Sequence, residues 1–290
     1  MVEREIIMKW KLIIVCAVFL LYGCSYIQVD EVNEQQSEHI NKEINSIEQI
    51  IKDLNILDWS ERKILQAEKV YYLALGDSLT RGIGDETNQY GFTGLLVNEI
   101  EKSPNVLSVE LDNRGKNGRR SDQLLALLES GHYDEELKKA SFITISLGGN
   151  DVMKIVKNDL FNLKPSMFTD ELPEFRERYD KIIRLIREQS DAPIVLVGFY
   201  NPFSIITNEI TPFEKIIHDW NGEIENMSKS MDKVCFVPVE DLFSTNVDMV
   251  YHTDFFHPNA NGYKSMAERI IETMPSCNIE QINNLFQNEG

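Results

Sequence analysis

The sequence predicts an α/β protein with a parallel sheet covered by helices on both faces. Two observations carry this. Short apolar runs rich in Val, Ile and aromatic residues, at Val70–Leu75, Val106–Leu111, Phe142–Leu147, Ile194–Phe199 and Val234–Val239, read as five buried strands. Longer amphipathic stretches lie between them and after the last, at Gly94–Glu101, Ser121–Leu128, Glu174–Gln189, Thr211–Lys229 and Asn261–Thr273. Strand–helix alternation of this kind makes consecutive strands parallel. A site in such a sheet lies beyond the carboxyl ends of its strands, so those ends are where functional residues should gather.

They do gather there. The first strand breaks into Gly76-Asp77-Ser78-Leu79, and the third runs into Gly148-Gly149-Asn150-Asp151. The second is followed by a Gly-containing loop from Asn113 to Gly118. Beyond the fifth comes Asp254-x-x-His257, directly before the last helix. Residues three apart span close to one helical turn, so Asp254 and His257 can face the same way. Ser78 at a strand tip is either a helix cap or a nucleophile. A distant histidine with its own carboxylate favours the nucleophile. His252 is a rival base near Asp254, without the Asp-x-x-His spacing.

Composition narrows the classes. A formal charge of −18 over 290 residues argues against nucleic acid and against electrostatic docking on anionic lipid. The five histidines, His39, His132, His218, His252 and His257, form no HExxH, and the four cysteines form no Cys-x-x-Cys, so no metal site is expected. A phosphate-binding module using the Gly-rich first loop is the alternative class. It lacks G-x-G-x-x-G and Gly-Lys-Ser/Thr, and it leaves Asp254-x-x-His257 without a role.

Four blocks in this order, each at a strand end, resemble the SGNH, or GDSL, hydrolases over roughly Val70 to Met274. Tyr200–Phe203 (YNPF) and Phe256–Asn259 (FHPN) further resemble the lipase/acylhydrolase branch of Bacillus-like bacteria. The resemblance implies a flavodoxin-like three-layer sandwich with a five-stranded parallel sheet. It also implies a serine esterase acting through an acyl-enzyme on Ser78, with His257 as base and Asp254 as its orienting carboxylate. The implied oxyanion donors are the backbone N–H groups of Ser78 and Gly118 and the side-chain amide of Asn150. Gly118 is preferred to Gly115 because it keeps the family's Asn-x-x-x-x-Gly spacing from Asn113. Asp77 reads as a turn former. No cofactor and no obligate protein partner are implied; the alternative activity is an O-acetylesterase or acyltransferase on cell-envelope polysaccharide.

Substrate contacts are harder to read. Tyr200, Phe203, Ile205, Ile206, Phe213, Phe255 and Phe256 are either an acyl pocket or ordinary core. Residues 157–173, with several apolar residues and two prolines, are a lid or a long connection. Arg81, Arg114, Lys116, Arg119 and Arg120 fall in the first two site loops. They either offset nearby acids or offer positive charge to a substrate phosphate or carboxylate, with Arg119 the candidate contact.

The chain divides into residues 1–23, 24–69, 70–275 and 276–290. Lys9 and Lys11 precede the uncharged run Leu12–Tyr22, which suits a signal-peptide core and is short for a bilayer span. Leu21-Tyr22-Gly23-Cys24 resembles the cleavage box of bacterial lipoproteins, in which the cysteine is lipidated. That resemblance implies export and a membrane anchor on Cys24; the alternative is an uncleaved anchor, with the remainder of the chain exported in either case. Residues 24–69 are polar, and Ile40, Ile44, Ile47, Ile51 and Leu54 form a helical stripe suited to a stalk. Cys235, inside an apolar run, is expected as packed core rather than half of a disulfide. Residues 276–290 are expected as a C-terminal tail.

Overall fold

The first strand of the computed structural model, β1 (Glu68–Gly76), has parallel neighbours on both sides. The structure describes residues 67–202, 212–243, 251–254 and 256–286, with Lys42, Ile44 and Asn45, which are helical and exposed. The other strands are β2 (Val106–Gly115), β3 (Phe142–Ser146), β4 (Ile194–Val197) and β5 (Val234–Val237). All pair in parallel, in the order β2-β1-β3-β4-β5. The order reverses at β1, so the crevice between the ends of β1 and β3 is the expected place for a site.

Strand periodicity divides the apolar residues between two cores. Leu73 and Leu75 of β1, Ile143 and Ile145 of β3, and Ile194 and Leu196 of β4 join one core. Tyr72 and Ala74 of β1 and Val195 and Val197 of β4 join the other. The first core is covered by α3 (Ser121–Glu129), α4 (Asp134–Lys139), α5 (Gly149–Asn158), α6 (Pro165–Gln189) and α7 (Pro212–Ser230). The second is covered by α2 (Gly91–Ile100), α8 (Ala260–Thr273) and α9 (Glu280–Leu285); the short α1 (Ser78–Arg81) carries Leu79 into it.

Several expectations change. β2 runs four residues beyond Leu111, because its register with β1 continues through Leu75↔Arg114 to Gly76↔Gly115. This puts Asn113 in a strand rather than a loop. Residues 157–173 comprise the end of α5, a connection at 159–164 and the first turns of α6, with Phe168 buried in the first core. This stretch is therefore a largely helical connection, and α6 begins at Pro165, well before Glu174. Proline is favoured in a first turn, where its missing N–H has no intrahelical partner to lose. The segment after residue 275 is partly core as well, since Ile279 and Ile282 are buried.

Cys235 is buried as expected, but it is bonded to Cys277, against the expectation of a lone core thiol. The 3₁₀ turn Met274–Cys277 lies against β5 and brings the two Cα atoms to 5.7 Å. That separation is within disulfide range. The 42-residue spacing left no local sign of it.

Candidate active site

β1 delivers Ser78 to the crevice through a turn that only glycine permits. A Cβ on Gly76 would lie 2.1 Å from Thr80 Oγ1 and 2.6 Å from the Ser146 carbonyl oxygen. Asp77 then caps α1: its Oδ1 accepts from the Leu79 N–H at 2.9 Å. Ser78 is thus the first helical residue and not the cap.

His257 sits on a short loop. Asp254 Oδ1 accepts the backbone N–H groups of Phe256 and His257, both at 3.0 Å, and so folds the loop on itself. Asp254 Oδ2 lies 2.6 Å from His257 Nδ1. His257 Nε2 lies 3.0 Å from Ser78 Oγ. Burial raises the Asp254 carboxyl, but the His257 ring and the two backbone donors outweigh it and hold the pKa at about 2. An ionised carboxylate can only accept, so Nδ1 carries the imidazole proton and Nε2 is left to accept from the Ser78 hydroxyl. The loop is anchored by Tyr200, whose hydroxyl donates to the Phe256 carbonyl at 2.7 Å, and by Asn259, whose amide donates to the Tyr251 carbonyl at 3.1 Å. The His252 ring stays 3.8 Å from Asp254 Oδ1, outside hydrogen-bond range; its backbone N–H donates to the His257 carbonyl.

Asn150 arrives from β3 by way of two glycines. Gly148 has φ +127, and a Cβ there would meet the Phe199 ring at 2.4 Å. The Asn150 amide donates through Nδ2 to Asp77 Oδ2 at 3.1 Å. Asp77 is 4% exposed. Burial pushes its carboxyl up to about 7, against the Leu79 and Asn150 donors, which favour the anion. The neighbouring Asp151 is also buried. Its carboxylate takes the Ser121 N–H at 3.0 Å and the Ser121 hydroxyl at 2.6 Å, while Arg178 Nε donates to the same hydroxyl at 3.0 Å. This ties the start of α3 to the start of α5.

Gly118 lies on the exposed turn between β2 and α3 with φ +72, and among the described residues a Cβ there would touch nothing within 4 Å. Glycine is therefore used here for its backbone conformation, not for packing. Gly118 is not among the residues lining the pocket beside Ser78. That pocket is largely apolar, with Leu79, Val152, Met153, Phe199, Phe213 and Ile217 in its walls. Tyr200 and Phe256 also line it; Phe203, Phe255, Ile205 and Ile206 fall outside the described residues. Sequence reasoning missed the contribution of α5, although Val152 and Met153 directly follow the Asn-Asp pair.

Arg119 is a correction. It is 6% exposed and donates to the carbonyls of Gly76 and Arg114 and to the Tyr133 hydroxyl, so it braces the ends of β1 and β2 rather than facing a substrate. Arg114 is paired with Asp112 and Glu136, and Arg120 with Asp122, which is the charge-offsetting reading.

A Ser-His-Asp chain at the carboxyl edge of a 2-1-3-4-5 parallel sheet defines a serine ester hydrolase. The chain belongs to the GDSL-like lipase/acylhydrolase family, which it matches over residues 74–265. It is 33% identical over 210 residues to the uncharacterized protein YpmR of Bacillus subtilis, covering 71% of this chain and 82% of that one. It is 28% identical to the spore germination lipase LipC of Bacillus licheniformis, covering 69% and 93%. Among solved structures it resembles the lipase Lip_vut3 from a goat rumen metagenome, with TM-score 0.64, 25% identity, and coverage of 73% and 99%. The acetylxylan esterase Axe2 of Geobacillus stearothermophilus shares the fold at TM-score 0.56, 16% identity, and coverage of 74% and 97%.

Proposed function

We propose that this chain is a lipase-type acylhydrolase of the cell exterior, held at the membrane by a lipid on Cys24. The observation that carries the chemistry is the unbroken chain from Asp254 through His257 to Ser78. His257 Nε2 takes the Ser78 proton as Oγ attacks the ester carbonyl. The tetrahedral oxyanion draws on the N–H groups of Ser78 and Gly118 and the Asn150 amide. Collapse expels the alcohol, which receives the proton from the imidazolium. Water, deprotonated by the same histidine, then releases the acid and restores Ser78.

The apolar walls of the Ser78 pocket support an acyl chain rather than a sugar ring as the group bound there. The name of the Bacillus licheniformis relative supports the same class of lipid ester. Export is supported by the apolar run Leu12–Tyr22 before Cys24 and by the Cys235–Cys277 disulfide, a bond that persists in oxidising compartments.

The test is labelling with a fluorophosphonate probe in a membrane fraction. The wild-type chain should label there. Ser78→Ala should stay unlabelled in the same fraction. Cys24→Ser should label in the soluble fraction instead. Labelling of Ser78→Ala overturns the nucleophile, and membrane retention of Cys24→Ser overturns the lipid anchor.

A further inference from the structure

We propose that Asp77 is a positioning residue for the oxyanion amide: its carboxylate sets which end of the Asn150 side chain faces the reacting carbonyl. This rests on the reading of Asn150 as an oxyanion donor. A side-chain amide has a donor end and an acceptor end of nearly the same shape, and only the donor end stabilises an oxyanion. Without a discriminating neighbour, the amide turns about its last bond at little cost, and half of its orientations point an oxygen at developing negative charge.

Asp77 is that neighbour. One oxygen, Oδ1, is occupied by the Leu79 N–H at 2.9 Å. The other, Oδ2, accepts from Asn150 Nδ2 at 3.1 Å, and in the ionised form, which prevails above about pH 7, it can only accept. Nδ2 must therefore point inward, with one N–H on Asp77. Among the described residues the second N–H has no protein partner, and Asn150 lines the same pocket as Ser78. The capping bond also fixes Asp77 to α1, whose first residue is Ser78. One buried carboxylate thereby links the placement of the nucleophile to the orientation of the amide.

Both acceptor oxygens are needed, and this makes Asp77→Asn a sharp probe. Asparagine has one acceptor and one donor. Its oxygen keeps the Leu79 cap, which preserves the fold, and its NH₂ then faces the NH₂ of Asn150. Asn150 turns over to bring its oxygen to that donor.

The experiment is a double-mutant cycle of Asp77→Asn and Asn150→Ala, read by kcat and KM on a short-chain p-nitrophenyl ester, with circular dichroism as the folding check. Loss of one oxyanion donor costs about 10²–10³ in kcat. Asn150→Ala should show that loss with KM little changed, because the oxyanion exists only in the transition state. Asp77→Asn should show a loss of about the same size. In the Asn150→Ala background, Asp77→Asn should change kcat by less than about threefold, since no amide remains to be turned (coupled sites are non-additive). Asn150→Ala retaining more than about a third of wild-type kcat, well short of a donor's loss, overturns the oxyanion reading itself. Asn150→Ala impaired while Asp77→Asn is near normal, or losses that multiply in the double variant, overturn only the role of Asp77. If Asp77→Asn does not fold, the wild-type enzyme decides by hydrogen exchange at Nδ2. The Asn150 proton held by Asp77 should exchange slowly and its partner fast, and two equally fast protons overturn the proposal.

Discussion

The site contains two carboxylates used in the same way in opposite surroundings. Asp254 gives one oxygen to backbone N–H groups and aims the other at His257. Asp77 gives one oxygen to a backbone N–H and the other to Asn150. Asp254 stands on an exposed loop, its side chain 40% accessible, with partners two and three residues away. Asp77 is buried at the end of β1, and its side-chain partner Asn150 lies 73 residues along the chain. Burial dominates at Asp77 and lifts its carboxyl to about 7, whereas donors dominate at Asp254 and hold it at about 2. His257 is therefore aimed by a local loop that carries its own hydrogen bonds, and the Asn150 amide by long-range assembly of the sheet.

The largest effect that tests this contrast is Asp254→Asn. The asparagine oxygen can still accept the Phe256 and His257 N–H groups, so the loop keeps its shape. Its NH₂ then faces Nδ1, which moves the imidazole proton to Nε2 and leaves no lone pair for the Ser78 hydroxyl. A wrong tautomer in an intact triad costs about 10⁴ in kcat. A loss of roughly 10³–10⁴ is expected here, measured on a short-chain ester alongside a thermal melt displaced by less than about 2 °C, because the site is local and exposed. A loss below about tenfold would mean that another group orients His257.

The same contrast explains what was legible in the sequence. Asp254-x-x-His257 could be read because its geometry is set within four residues. β1, β3, β4 and β5 could be read because burial gives continuous apolar runs, and the carboxyl ends of β1 and β3 then located Ser78 and Asn150; β2, expected as a buried strand, is instead an edge strand of half-buried and exposed residues. The Asp77–Asn150 bond could not be read, since it depends on β1 and β3 being neighbours in register, with Gly76 opposite Ser146. Arg119 was misplaced for a related reason. A cation in a Gly-containing loop looks solvated until the loop closes on the carbonyls of Gly76 and Arg114. Cys235–Cys277 likewise needed the fold of the final turn against β5.

The smallest effect is one of stability, and its sign separates the two carboxylates. Asp77 has a folded pKa of about 7 against an unfolded value of about 3.9. Between those values the native protein holds a proton that the unfolded chain has released. Asp77 therefore makes stability fall as pH rises from about 4 to about 7, with no further change above. Asp254 behaves oppositely. Its folded value of about 2 is below the unfolded one, so its contribution is complete above about 3.9 and is lost as pH falls through about 2. Asparagine at position 77 is neutral throughout and removes the first dependence. The Tm of Asp77→Asn minus that of wild type should thus climb in favour of the variant between pH 4 and 7, by at least about 2 °C, and level off above. Any difference in hydrogen-bond strength at position 77 offsets the whole curve without changing its slope. Asp151, also raised by burial, titrates in both proteins and largely cancels in the difference. Thermal melts at matched ionic strength give the answer. A difference that stays flat from pH 4 to 8 would show that Asp77 is ionised across this range, its two N–H donors having overcome its burial.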